Sequence, residues 1–189
     1  LCEELRSGNY LPAPHTAFAL KKKSGGERIV EKPGFKDLIV QKYLLKTIEG
    51  VFDRFFEEGS IGFRKGISRS RAIEVVHQAM SDGFRFVVES DIEDFFPSIR
   101  HDILFGLLDH YLPDGDECIK RVLRKCITTG FVVGDRLCER TIWVAQGAPL
   151  SPMMANLYLD AFDEQSLAWD VRMIRYADDF IILARTREE

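Results

Sequence analysis

The carboxylates best placed for chemistry stand where apolar segments end. Asp178 and Asp179 are adjacent between two such segments, residues 172–176 and 180–184, and Asp91 follows a third, residues 84–90. If these segments are strands that pair side by side, their carboxylates converge although they are far apart in the chain. Carboxylate oxygens without histidine or cysteine nearby favour Mg²⁺ or Mn²⁺ over zinc. Two such ions suit phosphoryl transfer, because they activate a hydroxyl and stabilise a leaving phosphate.

A solvated surface turn is the other interpretation of these acids. Asp178 and Asp179 repel each other, whereas a tight turn between strands normally carries Asn-Gly or Asp-Gly. Asp91 could likewise be a solvated strand end, since three further acids lie within three residues of it. The carboxylates alone therefore leave both interpretations open.

The net charge is divided unevenly along the chain. Its overall value of −4 argues mildly against a nucleic-acid-binding protein. Residues 1–80, however, carry 14 lysines and arginines against 10 acids, a net +4, while residues 81–189 carry a net −8. A cationic half could hold a polyanion and an anionic half could hold metal ions.

Composition narrows the class of protein. With 189 residues, 46% of them apolar, the chain can bury a core in one domain of at most two lobes, which excludes a disordered polyelectrolyte. It has no apolar run near the roughly 18 residues of a membrane span and no start typical of a signal peptide, so we expect no membrane partner. Four cysteines without a C-x-x-C pair argue against zinc and suit a reducing cytoplasm. The first residue, Leu1, indicates a trimmed or excised piece.

Helices and strands that must position the acids alternate irregularly, which predicts an α+β fold. Helical spacing of apolar residues begins at Asp37, Ser70, Asp102, Asp116 and Ser151, with Asp37, Asp102 and Ser151 as caps. Alternation and turn residues predict strands on both sides of Ser24–Gly26, a strand at 84–92, a hairpin of 131–135 and 141–144, and two strands around the acidic tip at 172–184.

Three motifs follow one another along the chain: SDIEDFFPSI at 90–99, QGAPLSPMMAN at 146–156 and YADD at 176–179. Together they resemble a reverse transcriptase of the bacterial group II intron-like lineage, which includes intron, retron and CRISPR-associated enzymes. Upstream, Lys22, Gly26–Arg28, Gln41 and the segment 60–66 match the fingers segments of that family. The resemblance extends over residues 17–184, and motifs in a common order are far more specific than a YADD tetrad alone.

The resemblance implies a two-metal site. Asp91, Asp178 and, less directly, Asp179 correspond to the catalytic carboxylates, and the backbone carbonyl of Ile92 would complete a metal shell. The implied cofactor is a pair of Mg²⁺ ions, with Mn²⁺ as a substitute.

The resemblance also implies a nucleotide site. Lys22 and Arg28 would grip the triphosphate, with the choice among Lys21, Lys22 and Lys23 open. Phe96 would lie under the incoming sugar, where a bulky ring disfavours a 2′-hydroxyl.

The neighbouring positions carry related expectations. Asp94 and Phe95 would offer backbone N–H groups to the triphosphate, and alternation makes Phe95 the core member of the Phe pair. Gln146 and Gly147 would pack against the nucleotide and the template base.

Two further residues are expected near the primer and template. Tyr176 would stand beside the primer end. Arg64 serves either the template or the local structure.

The resemblance thus implies a right-hand polymerase without a thumb, and a palm with a ferredoxin-like antiparallel sheet backed by helices. Residues 1–85 and 115–147 would form the fingers, and 86–114 and 148–189 the palm. We expect an RNA-directed DNA polymerase fragment of low activity alone, in a bacterial or archaeal cytoplasm. Its partners would be an RNA template, a DNA or RNA primer and dNTPs. The alternatives are an RNA-dependent RNA polymerase and a non-catalytic nucleic-acid-binding or scaffold module with a relic site.

Overall fold

The computed structural model describes residues 1–21 and 25–187, so Lys22 lies outside the described residues. Helices and strands alternate along the chain and form two sheets, which confirms the predicted α+β class. The helices are α1 (Cys2–Arg6), α2 (Phe35–Phe52), α3 (Arg69–Ser81), α4 (Phe95–Ser98), α5 (His101–Tyr111), α6 (Glu117–Thr128) and α7 (Ser151–Ser166), and the strands are β1 (His15–Lys21), β2 (Glu27–Lys32), β3 (Phe86–Asp91), β4 (Phe131–Val133), β5 (Arg136–Cys138), β6 (Arg172–Tyr176) and β7 (Asp179–Ala184).

The first sheet has four strands in the order β2-β1-β4-β5. β1 and β2 are antiparallel, from the pair Thr16 and Lys32 to the pair Lys21 and Glu27. β4 joins the other edge of β1 in parallel, and β5 returns antiparallel to β4. This sheet carries Arg28 on β2.

The second sheet has three antiparallel strands in the order β3-β7-β6. β7 lies in the middle, so the strand that ends in Asp91 pairs directly with the strand that begins at Asp179. Beyond β6, the segment 59–61 adds backbone hydrogen bonds: Arg175 N donates to Gly59 O at 2.8 Å and Ile61 N to Arg175 O at 2.9 Å. A segment outside the strands predicted from the sequence therefore extends the edge of this sheet.

Two clusters of buried side chains hold the elements together. The larger joins α2, α5, α6 and α7 and includes the fully buried Phe52, Leu104, Leu123 and Leu157. The smaller lies between α3 and the three-stranded sheet, around Phe84 and Leu183. The two sheets use separate parts of the chain. Residues 15–32 and 131–138 form the four-stranded sheet, and residues 86–91 and 172–184 form the three-stranded sheet. The boundaries between fingers and palm stay a prediction. Within residues 1–21 and 25–187, no helix is both long enough and apolar enough to cross a bilayer.

The predicted N-cap of α2, Asp37, was wrong by three residues. The helix begins at Phe35 with Gly34 as its N-cap, and it ends at Phe52. Asp37 instead accepts hydrogen bonds from the Tyr10 hydroxyl and from Ala13 N, the latter at 3.3 Å. Its carboxylate therefore anchors the N-terminal segment to α2, a long-range contact that a local capping pattern cannot reveal.

The other cap predictions were off by two residues for α5 and by one residue for α7. α5 begins at His101 after Arg100, which puts Asp102 in the first turn. α7 begins at Ser151 after Leu150, with Pro152 in the first turn as its fixed φ favours.

The second strand of the predicted hairpin was also misplaced. A turn at Gly134–Asp135 leads into β5 at Arg136–Cys138, whereas residues 141–144 are irregular. Trp143 N donates to Ile99 O at 2.8 Å, and Trp143 has a φ of 60°, which is incompatible with a strand. The backbone of this segment thus bonds to the chain just after α4 instead of pairing with β4.

Candidate active site

A cavity of about 520 Å³ opens where β2, the end of β3 and the turn between β6 and β7 meet. It collects eight of the residues that the sequence predicted for the site: Arg28, Asp91, Ile92, Asp94, Phe95, Phe96, Gln146 and Asp178. Residues more than 140 positions apart in the chain thus meet at one surface. The remaining predicted residues that the structure describes are not among its lining residues: Arg64, Gly147, Tyr176 and Asp179.

Strand pairing brings the three aspartates together. Asp91 on β3 is the direct partner of Asp179 on β7. Next to this pair, Ile92 N donates to Asp178 O at 3.2 Å, which ties the acidic turn to the end of β3. Asp91 and Asp178 both line the cavity, whereas Asp179 is exposed and does not line it. The convergence expected from the sequence is therefore present.

The turn that carries Asp178 has an unusual backbone. Ala177, the first of its two central residues, has a φ of 63°. Two-residue turns normally place Gly where φ is positive, because a Cβ in this region costs about 1–2 kcal/mol. The turn therefore requires support from its surroundings.

The carboxylates affect one another's ionisation. Partial burial raises the pKa of Asp179 above its usual value, and the negative charges of Asp178, Asp91 and Glu89 raise it further. Because the folded protein then holds this proton more tightly than the unfolded chain does, the resulting stability is present at low pH. It is lost as pH rises through the raised pKa.

Asp179→Asn should therefore stabilise the cation-free protein at neutral pH. Since Asp179 is largely exposed, solvent screening limits the gain, and we expect a rise in Tm of about 1–3 °C at pH 7. The difference should shrink as pH falls and the wild-type carboxyl takes up its proton, and it should also shrink at pH 7 when Mg²⁺ is added. Differential scanning calorimetry across this pH range checks it, with Asp135→Asn in the β4–β5 turn as the control. A Tm difference that does not change with pH would contradict the explanation.

The donor set of the cavity fits a hard divalent cation. It offers the carboxylates of Asp91 and Asp178 and the carbonyl of Ile92, all oxygen ligands. The described residues contain no group of three or more His, Cys, Asp or Glu side chains close enough to hold a metal by themselves. This suits Mg²⁺, which typically takes one or two carboxylates and completes its octahedron with water and substrate phosphates. It does not suit a structural zinc site, which needs four protein ligands.

The two phenylalanines after the acidic strand divide their roles as alternation predicted. Both line the cavity, but Phe95 is 4% exposed and belongs to the larger core, whereas Phe96 is only half-buried. Their rings meet edge to face with centroids 5.6 Å apart. Asp94, just before them, has a φ of 44°, which turns the chain sharply from β3 into α4. The buried ring thus fixes the position of the exposed one.

The loop of Gln146 and Gly147 rests on β2. Glu31 N donates to Gln146 O at 2.7 Å. A Cβ on Gly147, whose φ is +107°, would lie 2.6 Å from Glu31 O, so any side chain there would push the loop away from the strand. Gln146 is held at the cavity wall by this close backbone approach.

A buried ionic group that sequence reasoning missed lies behind that loop. Glu31, 3% exposed, is ion-paired with Arg140, and His15 Nδ1 lies 3.2 Å from its Oε2. Burial alone favours the protonated acid, but the hydrogen bonds with His15 and Arg140 and the charge of Arg140 hold the pKa of Glu31 below its usual value. The group anchors β2 beneath Gln146. In the sequence, the only indication of this ionic group is that its charged residues stand among apolar neighbours.

Tyr176 is the last residue of β6, directly before the acidic turn, and Arg64 contacts the end of α2. The Arg69 guanidinium stands over the Tyr176 ring, 5.2 Å from its centroid. Arg64 donates to the Asp53 carboxylate at 2.6 Å and to the carbonyls of Glu57 and Ser60 at 2.7 and 2.9 Å. These bonds tie the end of α2 to the segment 59–61, which favours the structural alternative for Arg64 over the template.

The reverse transcriptase (RNA-dependent DNA polymerase) family model matches residues 20–189 of this chain. The group II intron-encoded protein LtrA of Lactococcus lactis is 28% identical over 182 residues, which are 96% of this chain and 30% of that protein. The retron Ec86 reverse transcriptase of Escherichia coli is 31% identical over 135 residues, 69% of this chain and 36% of that protein. The chain thus spans about a third of the length of these two relatives.

Solved structures share the fold. A chain in a partial Cas6-RT-Cas1–Cas2 complex is 29% identical, with a TM-score of 0.56 over 98% of this chain and 32% of that one. Telomerase from Candida albicans, solved with a fragment of telomeric RNA, has a TM-score of 0.72 over 97% of this chain and 39% of that one. At 14% identity, that likeness speaks for the fold alone. The predicted polymerase fold of fingers and palm is confirmed.

Proposed function

Because the chain belongs to the reverse transcriptase (RNA-dependent DNA polymerase) family, we propose that it forms the catalytic part of an enzyme that copies RNA into DNA. The observation that carries the proposal is the meeting of Asp91 and Asp178 with Arg28, Phe96 and Gln146 around one cavity. Nucleotidyl transfer requires carboxylates that bind metal ions, a positively charged side chain that binds phosphates, and a surface against which the sugar packs. Asp91 and Asp178, Arg28 and Phe96 are suited to these three tasks.

In this proposal Asp91 and Asp178 hold divalent cations, with the carbonyl of Ile92 as a further ligand. When bound, a pair of Mg²⁺ ions would activate the primer 3′-hydroxyl and neutralise the charge of the triphosphate, and Mn²⁺ could replace them. The bond between Ile92 N and Asp178 O ties the backbone of the acidic turn to the end of the strand that carries Asp91. Asp179 does not line the cavity, but it adds negative charge next to Asp91, with which it is paired across the two strands.

The nucleotide would lie between β2 and the Phe95–Phe96 pair. Arg28 would bind the triphosphate, since its guanidinium presents several donors to phosphate oxygens. The backbone N–H groups of Asp94 and Phe95 would donate to the same phosphates, and Phe96 would limit the space at the sugar 2′ position. Gln146 and Gly147 would cover the base pair that forms between nucleotide and template.

The reaction needs no protein nucleophile. The primer hydroxyl attacks the α-phosphate of a dNTP, a new phosphodiester bond forms and pyrophosphate leaves. The protein contributes alignment of the two reactants and compensation of negative charge. An RNA template, a DNA or RNA primer and dNTPs are the partners that this reaction requires.

Primer extension by the full-length protein tests the proposal. With an RNA template, a DNA primer, Mg²⁺ and dNTPs, we expect DNA products that require all four components. Products made equally well from rNTPs would favour the RNA-dependent RNA polymerase instead. Binding of template and primer without extension would favour the non-catalytic module.

Arg28→Ala should chiefly weaken the use of dNTPs. Losing charge-assisted hydrogen bonds to the triphosphate should raise the KM for dNTP about tenfold or more, with a smaller change in the Mg²⁺ requirement. Steady-state extension at varied dNTP checks it. Arg136→Ala, an exposed arginine of the same sheet, is the control. An unchanged KM for Arg28→Ala would remove Arg28 from the nucleotide site.

A further inference from the structure

Arg175 is the largest fully buried side chain near the acidic turn. It lies on β6, two residues before Ala177, and is 0% exposed. A guanidinium has five N–H donors in a rigid fork and cannot give up its charge. Burying a guanidinium without hydrogen-bond partners has a large cost in free energy. The acceptors that surround Arg175 therefore show which parts of the structure it holds together.

All five donors of Arg175 are bound. Nε donates to Asp163 Oδ1 at 2.8 Å, and Nη2 donates to Asp163 Oδ2 and to Ser60 Oγ, the latter at 2.7 Å. Nη1 donates to Asn156 Oδ1 at 3.1 Å and to the carbonyl of Ala177 at 2.9 Å. One side chain thus links α7, the segment 59–61 and the turn that precedes Asp178.

The bond to Ala177 reaches the strained position of the turn. The left-handed conformation of Ala177, with φ of 63°, orients the peptide that leads into Asp178. On the other side, Ile92 N donates to Asp178 O. The backbone of Asp178 is therefore held from both sides, by β3 and by the buried guanidinium.

The segment next to the turn depends on the same group. Asn156, which accepts from Arg175, donates to Gly62 O at 2.7 Å. A Cβ on Gly62 would lie 2.4 Å from Ala177 N, so the backbone at Gly62 is in close contact with the backbone of the turn. Arg175 and Asn156 together clamp it there.

We propose that Arg175 is a positioning residue that fixes the Ala177–Asp178 turn and so sets the Asp178 carboxylate against Asp91. This inference rests on the proposed polymerase function. A positive charge alone does not suffice for this positioning role. A lysine ammonium is a point charge with three donors, so it cannot bind the five acceptors that the planar guanidinium of Arg175 reaches.

Arg175→Lys in the full-length protein tests the inference, with Arg172→Lys on the same strand as the matched control. We expect Arg175→Lys to lower the single-turnover rate of primer extension about 10- to 100-fold and to raise the Mg²⁺ concentration for half-maximal rate several-fold. The KM for dNTP should stay close to that of the wild type. Arg172→Lys should leave all three quantities unchanged.

Hydrogen exchange supplies a readout that does not depend on activity. In Arg175→Lys, the amides of the turn and of Ile92 should exchange about tenfold faster, while the core of α5 and α7 keeps its protection. If Arg175→Lys does not fold, Asp163→Asn replaces it, since it keeps the arginine but weakens its pairing; the same changes should then be smaller.

The outcomes separate the two proposals. An inactive wild type would refute the polymerase function, and hydrogen exchange would still decide whether Arg175 holds the turn. Wild-type activity with normal Mg²⁺ dependence and normal turn protection in Arg175→Lys would refute the positioning role alone. Loss of activity with protection lost evenly across the protein and an unchanged Mg²⁺ requirement would mean that Arg175 only stabilises the fold, which also overturns the inference.

Discussion

Asp178→Asn should reduce primer extension by the full-length protein by about 10³-fold or more. The amide has nearly the volume of the carboxylate and lines the same cavity, so packing should be preserved. It lacks the charge that would hold a cation beside Asp91, and the negative charge of the triphosphate would then be uncompensated. The rate should be measured in a single turnover with saturating RNA template, DNA primer, Mg²⁺ and dNTPs.

Two measurements make the result for Asp178→Asn interpretable. Its Tm without cations should equal or slightly exceed that of the wild type, because one of several mutually repelling carboxylates is gone. Asp135→Asn, in the turn of the other sheet, should extend the primer normally. If Asp178→Asn and the wild type gave the same product, the catalytic hypothesis would fail and the non-catalytic module would become the better explanation.

Phe96→Val should relax the choice between dNTPs and rNTPs. We expect the ratio of kcat/KM for rNTP to that for dNTP to rise about 10- to 100-fold, the range over which a shape contact discriminates. The ring lines the cavity and is held edge to face by buried Phe95, so it cannot easily turn aside for a 2′-hydroxyl. Valine keeps an apolar wall but shortens it. Extension with each rNTP and its matching dNTP, separately, measures the ratio.

Phe95→Leu is the matched control for this steric role. Phe95 belongs to the core and its ring also lies 6.4 Å from that of Tyr158, so the substitution should lower the Tm. It should change the sugar preference much less than Phe96→Val does, because the Phe96 ring remains although it loses the edge-to-face contact that holds it. An unaltered preference in Phe96→Val, or an equal change in both variants, would rule out Phe96 as the group that reads the sugar.

The motifs predicted which residues would meet, and local patterns predicted most elements that carry them. The apolar strand before Asp91, the paired strands around Asp178 and the core position of Phe95 all follow from alternation, which is a property of neighbouring residues. Predictions that depended on local caps and turns were less accurate. Asp37 binds Tyr10 instead of capping α2, and residues 141–144 bind near α4 instead of forming a strand.

The sequence by itself determined the α+β class, the family and the set of residues that could bind metal and nucleotide, because these depend on residue types and on spacing along the chain. Only the tertiary structure decided that Asp178 rather than Asp179 lines the cavity, that Arg64 supports the end of α2, and that Arg175 and Arg140 are buried. A charged side chain is stable in the interior only when its acceptors surround it. Those of Arg175 come from positions as distant as Ser60 and Asp163, so their meeting depends on strand register and helix packing rather than on any local pattern.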